Sequence, residues 1–224
     1  MATPNITITP QYLADLVTKY TLRGEIPPSV PRERDSLETY AFSLEHPFVE
    51  KPLEYLHALR EAHQEAKGDR SMPSAFSVAF STSHPIPHAY GVTAPHNKTR
   101  PRPSTASVNY LHSFREQEAF TNLDVDVPQS LYSRRCTHCA EYQSLPPIFQ
   151  AARQTTGAVS ITTITILKNG RPREMCRNCE AYVQTVVDGQ PGLVVIDEVM
   201  ETKYMSLETE RMCAQAAQAA TYTP

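Results

Sequence analysis

The sequence predicts an α/β protein of three layers: a mixed central sheet of about four to five strands flanked by helices, with a helical extension at the N-terminus. Three observations carry this expectation. From about Ala75 the apolar periodicity reads strand, strand, helix, strand, helix, strand, helix. The run Val159-Ser-Ile-Thr-Thr-Ile-Thr-Ile-Leu is dense in β-branched residues, which fit a pleated surface and mark a central strand. The segments after Cys139 and Cys176 switch to helical spacing, so helices alternate with strands as a layered α/β chain requires. The 224 residues suffice for one domain with a sizeable core plus an elaboration. The division expected is 1–70 for the helical extension and 71–224 for the domain proper.

In the extension, Thr9-Pro10 offers a cap and a proline at the first helical position. Tyr12, Leu13, Leu16, Val17 and Tyr20 follow at helical spacing. The Pro-rich stretch Glu25–Arg32 interrupts. A second helical pattern starts near Ser36, and a third spans Pro52–Lys67 with Leu53, Leu56 and Leu59 on one face. His57 and His63 lie on this third pattern six apart. They do not share a face as i, i+4 ligands would, and read as solvated.

The next two runs, Ala75–Thr82 and His88–Ala94, read as strands joined by a short Ser83–Pro87 link that can close a hairpin. Residues 95–107 read as an extended loop, in which Lys98, Arg100 and Arg102 alternate with proline and no acid is present. That pattern suits a solvated linker or an arm that contacts phosphates. An amphipathic segment, Val108–Phe120, follows. Asp124 and Asp126 have the spacing of paired carboxylate ligands, but the Val-Pro after them makes them exposed alternation.

Beyond the first Cys pair, Leu145, Ile148, Phe149 and Ala152 are helical in spacing. Pro146-Pro147 is expected to kink or shorten that helix, since an interior proline costs about 3 kcal/mol. Lys168-Asn-Gly-Arg is a turn delivering the chain to Cys176. Ala181, Tyr182, Val183, Val186 and Val187 predict a helix ended by Gly189–Gly192. The apolar strand Leu193–Val199 looks continuous enough to be buried on both faces. The tail from Ser206 to about Ala220 is a helix whose Ser-x-x-Glu capping box is spoiled by Thr209, with Cys213 expected as a packed core thiol. The two Cys pairs are the one internal repeat.

Composition narrows the function classes. A net charge of −3 supplies no global field for nucleic acid or an anionic membrane, although a local patch can. No apolar run approaches the ~20 residues of a membrane span. The start, Met1-Ala-Thr-Pro-Asn-Ile, lacks the basic and apolar run of a secretory leader. Four of the five Cys fall in close pairs, which suits metal in a reducing, intracellular setting (cytoplasmic or nuclear) better than a disulfide framework. Nineteen Pro against seven Gly predicts stiff, irregular connections.

Two C-x-x-C pairs, Cys136/Cys139 and Cys176/Cys179, are first a zinc signature. Thiolates two residues apart can both reach one tetrahedral Zn²⁺ at about 2.3 Å. Both pairs fall at predicted helix starts, where free N–H groups and the dipole stabilise thiolates. Amphipathic helices after both pairs also argue against a zinc ribbon. Glu141, two residues past Cys139, has no use in a purely structural knuckle but has one in hydrolysis. The residues alone leave two arrangements open. One is a closed four-thiolate site organising an interaction module; the other is an open three-thiolate site beside a carboxylate. His138, on the turn of the first pair, reads as a surface or neighbouring residue, with a place on the metal as the alternative.

Cys139-Ala140-Glu141, followed by Cys176-Arg-Asn-Cys179, resembles the cytidine deaminase superfamily, whose zinc motif is a His or Cys, any residue, Glu, then C-x-x-C. The strand pair at 76–93 looks like that fold's first two strands, and the strands at 159–167 and 193–198 fall where its third and fourth belong. The resemblance covers roughly residues 73–200. It implies that Cys139, Cys176 and Cys179 bind Zn²⁺ and that Glu141 moves protons in a hydrolytic deamination of a cytosine-type base. It also allows a homo-oligomer. The chain departs from the family pattern at Met175, where Pro is usual, and at Pro146-Pro147. It departs again at Thr93 and Pro95, where nucleoside deaminases carry Asn and Glu for the ribose. The last departure and the Lys98–Arg102 loop favour cytosine within a single-stranded nucleic acid over a free nucleoside.

Overall fold

The computed structural model describes residues 44–46, 72–81, 83–86, 88–94, 105–127, 129–132 and 135–221, together with Leu53, Leu56, His57, Arg60, Glu61 and Gln64. The helical pattern at Tyr12–Tyr20, the Pro-rich break, Leu59, His63, Pro95 and the cations Lys98, Arg100 and Arg102 lie outside these residues.

The elements run in the order β1 (Leu44–His46), β2 (Ala75–Ser81), β3 (His88–Val92), α1 (Thr105–Glu116), α2 (Glu141–Arg153), β4 (Val159–Leu167), β5 (Pro172–Arg173), α3 (Arg177–Asp188), β6 (Leu193–Asp197), β7 (Thr202–Met205) and α4 (Leu207–Thr221). The strands form one mixed sheet ordered β1-β3-β2-β4-β6-β7, with β5 paired to β4. β2 is antiparallel to both β3 and β4, whereas β4 and β6 are parallel and joined through α3. The architecture is the expected α/β sheet with helices, and the β-branched run at Val159–Leu167 is central. The sheet is wider than four to five strands because it gains the short β1, β5 and β7. Leu44–His46 pairs with β3 where a helical pattern had been expected. No helix among the described residues is long and apolar enough to cross a membrane.

Alternation assigns the two faces. Ala79, Ala89, Ile161 and Val195 meet Leu145, Phe149, Val183 and Val186 from α2 and α3 in one core. Phe76, Val78, Tyr90, Ile164 and Ile166 occupy the opposite face and are buried too. The Ser81 hydroxyl accepts the N–H groups of Ser83 and His84 and closes the β2–β3 hairpin locally. Leu56, helical in conformation, is fully buried. Leu53, expected on the same face, is 40 % exposed.

Three further expectations change. α2 continues six residues past Pro147, so the paired prolines do not shorten it; Pro146 is buried in its interior. β6 is buried at alternate positions rather than throughout: Leu193, Val195 and Asp197 are buried, and Val194 and Ile196 are half-covered. Cys213 is exposed, not a core thiol, since α4 is exposed at every residue from Glu210 through Gln218. The cap of α4 does form: Ser206 Oγ accepts the Thr209 N–H at 3.1 Å. Thr209, in place of the usual Glu, takes the Gly192 N–H on its own hydroxyl at 2.8 Å.

Candidate metal centre

The sheet brings the two Cys pairs to adjacent helix starts. Cys139 ends a single 3₁₀ turn, Cys136–His138, immediately before α2. Cys176 is the residue from which α3 springs, and Cys179 lies in its first turn. The sulfurs of Cys139 and Cys179 each stand 3.5 Å from that of Cys176, and all three lie within 4.8 Å of one another. A tetrahedron with bonds of about 2.3 Å has edges of about 3.8 Å, so the two edges that meet at Cys176 match a zinc site within a few tenths of an ångström. Thiolate donors are the soft set that suits this ion.

Cys136 does not join the group among the described residues. It is buried against Tyr142; burial raises its thiol pKa, and the Tyr142 hydroxyl opposes that rise. His138 also stands aside, its ring facing that of His112 at 6.4 Å. Asp124 and Asp126 are exposed and belong to no cluster.

Glu141 opens α2 and is 5 % exposed. Its carboxylate accepts a hydrogen bond from Thr165 Oγ1 of β4 at 3.1 Å. Burial raises its pKa, the Cys176 charge adds to the rise, and the Thr165 hydroxyl and Arg173 oppose it. The sulfurs share protons. The hydrogen-bonded contacts with Cys139 and Cys179, then the N–H groups of Cys179 and Asn178, pull the Cys176 pKa down. Cys139 is pushed up by the same bond to Cys176, and Cys179 is pushed up by burial. The N–H contribution is the helix-start effect expected from the sequence.

The supports of this centre were not visible in the sequence. Gly91 of β3 lets α2 lie directly across the sheet: a Cβ there would meet the Ala140 carbonyl oxygen, and it would sit 2.9 Å from Ser144 N. An isolated Gly inside a strand pattern is the available signal for such an approach. Gln143 Oε1 takes the Val92 N–H at 2.9 Å, and the Ser144 hydroxyl bonds to Ser77 Oγ at 3.0 Å. Asp197, at the end of β6, receives the Met175 N–H at 2.8 Å and the Val199 N–H at 3.1 Å. Met175 stands where the motif usually has Pro, and it thereby supplies a donor that proline lacks. Thr93 is buried, with its hydroxyl taking the N–H groups of Ser74 and Ala75 at 2.8 and 3.2 Å.

Aromatic packing holds α2 and α3 together. Tyr142 of α2 stacks on Tyr182 of α3 with centroids 4.6 Å apart, and Phe120 closes on both at 5.7 and 5.6 Å. The Tyr142 hydroxyl donates to the Asn178 carbonyl between Cys176 and Cys179. The arrangement offers three clustered thiolate donors that could hold a metal ion, with a buried carboxylate two residues from one of them. Comparison with protein-family models, with curated proteins and with solved structures gave no match to this chain.

Proposed function

We propose that this chain is a zinc-dependent hydrolytic deaminase that converts a cytosine-type base to uracil with release of ammonia. The observation that carries the reading is the separation of roles among five residues. Cys139, Cys176 and Cys179 converge, Cys136 stays outside, and Glu141 is buried beside the group at the start of α2. A closed structural site would recruit the fourth thiol and would leave the carboxylate in solvent.

Cys139, Cys176 and Cys179 would hold Zn²⁺, which as a Lewis acid lowers the pKa of water toward about 7. Glu141 then accepts a proton from the attacking water and delivers it to the ring nitrogen. A second transfer through the same carboxylate leaves the amino group as ammonia, so one water enters and one ammonia departs. Thr165 fixes the carboxylate while it carries the proton, and its buried setting keeps bulk water from short-circuiting the transfer.

Single-stranded nucleic acid containing cytosine is the preferred substrate in this reading. The Thr93 hydroxyl, at a position where a nucleoside deaminase would grip ribose, is taken up by the backbone of β2. The cations Lys98, Arg100 and Arg102 supply the phosphate contacts from the sequence side.

The test is incubation of zinc-loaded protein with cytidine, deoxycytidine, cytosine-containing single strands and their adenine counterparts, with ammonia and the deaminated base as readouts. Turnover of a cytosine substrate, lost about 10²–10⁴-fold in Glu141→Gln with zinc retained, is expected. Absence of turnover on every substrate ends the proposal.

A further inference from the structure

α1 carries neither the clustered thiols nor Glu141, yet its last turn sends Arg115 into the interior, 1 % exposed. One terminal nitrogen of the guanidinium donates to the carbonyl oxygens of Thr137 at 3.0 Å and Cys139 at 3.1 Å. The other donates to the Val92 carbonyl at 2.7 Å and to Gln143 Oε1 at 2.9 Å. One side chain thus ties together β3, the turn that ends at Cys139, and the first turn of α2. A second strut from the same helix reaches the same turn, because His112 Nδ1 lies 2.9 Å from Thr137 Oγ1 and both groups are buried.

Taking a guanidinium out of water costs several kcal/mol even after relaxation. A neutral amide could satisfy carbonyl oxygens at lower cost. What a neutral group lacks is charge. Three thiolates around a divalent ion leave a surplus negative charge, and the Glu141 carboxylate beside them adds another. A fixed cation is hydrogen-bonded to the peptide of one of the three clustered cysteines, on the segment that carries part of that surplus. Arginine also cannot lose its proton there, as a lysine or histidine could.

We infer that Arg115 is a positioning residue for the metal centre. Its fork sets the orientation of the Cys139 peptide and the start of α2, and its charge offsets the surplus negative charge of the thiolate group. The inference rests on the metal-site half of the proposed function and not on deamination. It makes α1 part of the metal centre, although the helix lies outside the zinc motif.

The experiment uses the full chain stripped of metal. Zn²⁺ affinity is measured by competition with a chromophoric chelator, and Co²⁺ is added separately to read the thiolate–metal absorption bands. Arg115→Gln is expected to weaken zinc binding by about 10–100-fold, the usual loss for a partner that orients a ligand. Arg115→Lys keeps the charge without the fork, so it should bind more tightly than Arg115→Gln, with cobalt bands displaced from those of the wild type. If metal-free Arg115→Gln does not fold by circular dichroism, Arg115→Lys decides: weaker binding with displaced bands supports the inference. Wild-type affinity and an unchanged cobalt spectrum in the folded variants overturn it, while equal losses in the two variants overturn the charge role. Failure of the wild-type chain to bind zinc overturns the metal-site reading itself, and Arg115 with it.

Discussion

Replacing Gly91 by alanine tests whether the close crossing of β3 and α2 is what places the centre. Gly91 pairs with Ser77 in the sheet, and the start of α2 lies over it. An added Cβ meets the Ala140 carbonyl oxygen and stands 2.9 Å from both Gln143 Cβ and Ser144 N. Ordinary contact begins near 3.4 Å, so Ser144 N must retreat by about 0.5 Å and the Ala140 oxygen by more. These are backbone atoms of a helix start, not the ends of flexible side chains, and they move only with the helix. Overpacking of this kind costs about 1–3 kcal/mol. At about 2–4 °C per kcal/mol for a chain of this size, Gly91→Ala should melt about 2–12 °C lower. Ala140 lies between Cys139 and Glu141, so the same displacement reaches the centre. A misplacement near 1 Å costs about 10²-fold in rate. Melting by circular dichroism, zinc competition and turnover should therefore all fall. Gly157→Ala is the control, since its φ of 93° strains any side chain but nothing lies within 4 Å. That variant should lose about 1–2 kcal/mol of stability and keep its zinc affinity. Wild-type melting and zinc binding in Gly91→Ala would refute the crossing as the device that places the centre.

Cys136→Ser should retain one zinc per chain by metal analysis, whereas Cys139→Ser and Cys179→Ser should lose most of the affinity; zinc loss in Cys136→Ser would restore the closed four-thiolate site. His112 should make the fold acid-sensitive. Burial, assisted by Arg115, Arg135 and His138, lowers its pKa from 6.5 to about 4. The unfolded chain therefore takes up a proton below pH 6.5 that the folded chain refuses until about pH 4. Stability is unaffected above pH 6.5 and declines between those values. In the metal-free protein, His112→Gln should flatten that decline, and an unchanged slope would contradict it. Met175→Pro should cost about 1.5–3 kcal/mol by removing the N–H that Asp197 accepts. The loss should not add to that of Asp197→Ala in a double-mutant cycle, and simple additivity would show that the pair is not coupled.

The parts of the fold and site that the sequence disclosed are those whose signal is periodic or spaced. Val159–Leu167 declared itself by β-branching, α3 by its Tyr182, Val183, Val186 and Val187 stripe, and the thiol group by two C-x-x-C spacings. What stayed hidden depends on contacts between elements. β7 follows a turn made by Glu201 at φ 52°, a residue type that carries no turn signal, so the strand went unnoticed. Arg115 reads as the charged face of an amphipathic helix until the fold shows four acceptors converging on it. Cys213 failed in the opposite sense: its place on the apolar face of the tail helix suggested packing, and the chain leaves it in solvent. The prolines failed for a related reason. A proline's cost inside a helix is local, and burial of Leu145, Ile148 and Phe149 along α2 offsets it collectively.

The distribution of these supports is itself informative about function. A structural zinc staple needs its thiols and little else, because the ion supplies the folding energy. Here the sheet, α1 and β6 each send a polar group to the segments that carry the three thiols and Glu141: Thr165 to the carboxylate, Arg115 to the Cys139 peptide, and Asp197 to the Met175 N–H beside Cys176. All three are buried, and each costs solvation that an apolar residue would not. Groups of that kind hold orientation as well as attachment, which is what the proposed hydrolysis would ask of them. In that proposal the open side of the centre would be the one facing Glu141, since Cys136 and His138 stand outside the thiol group.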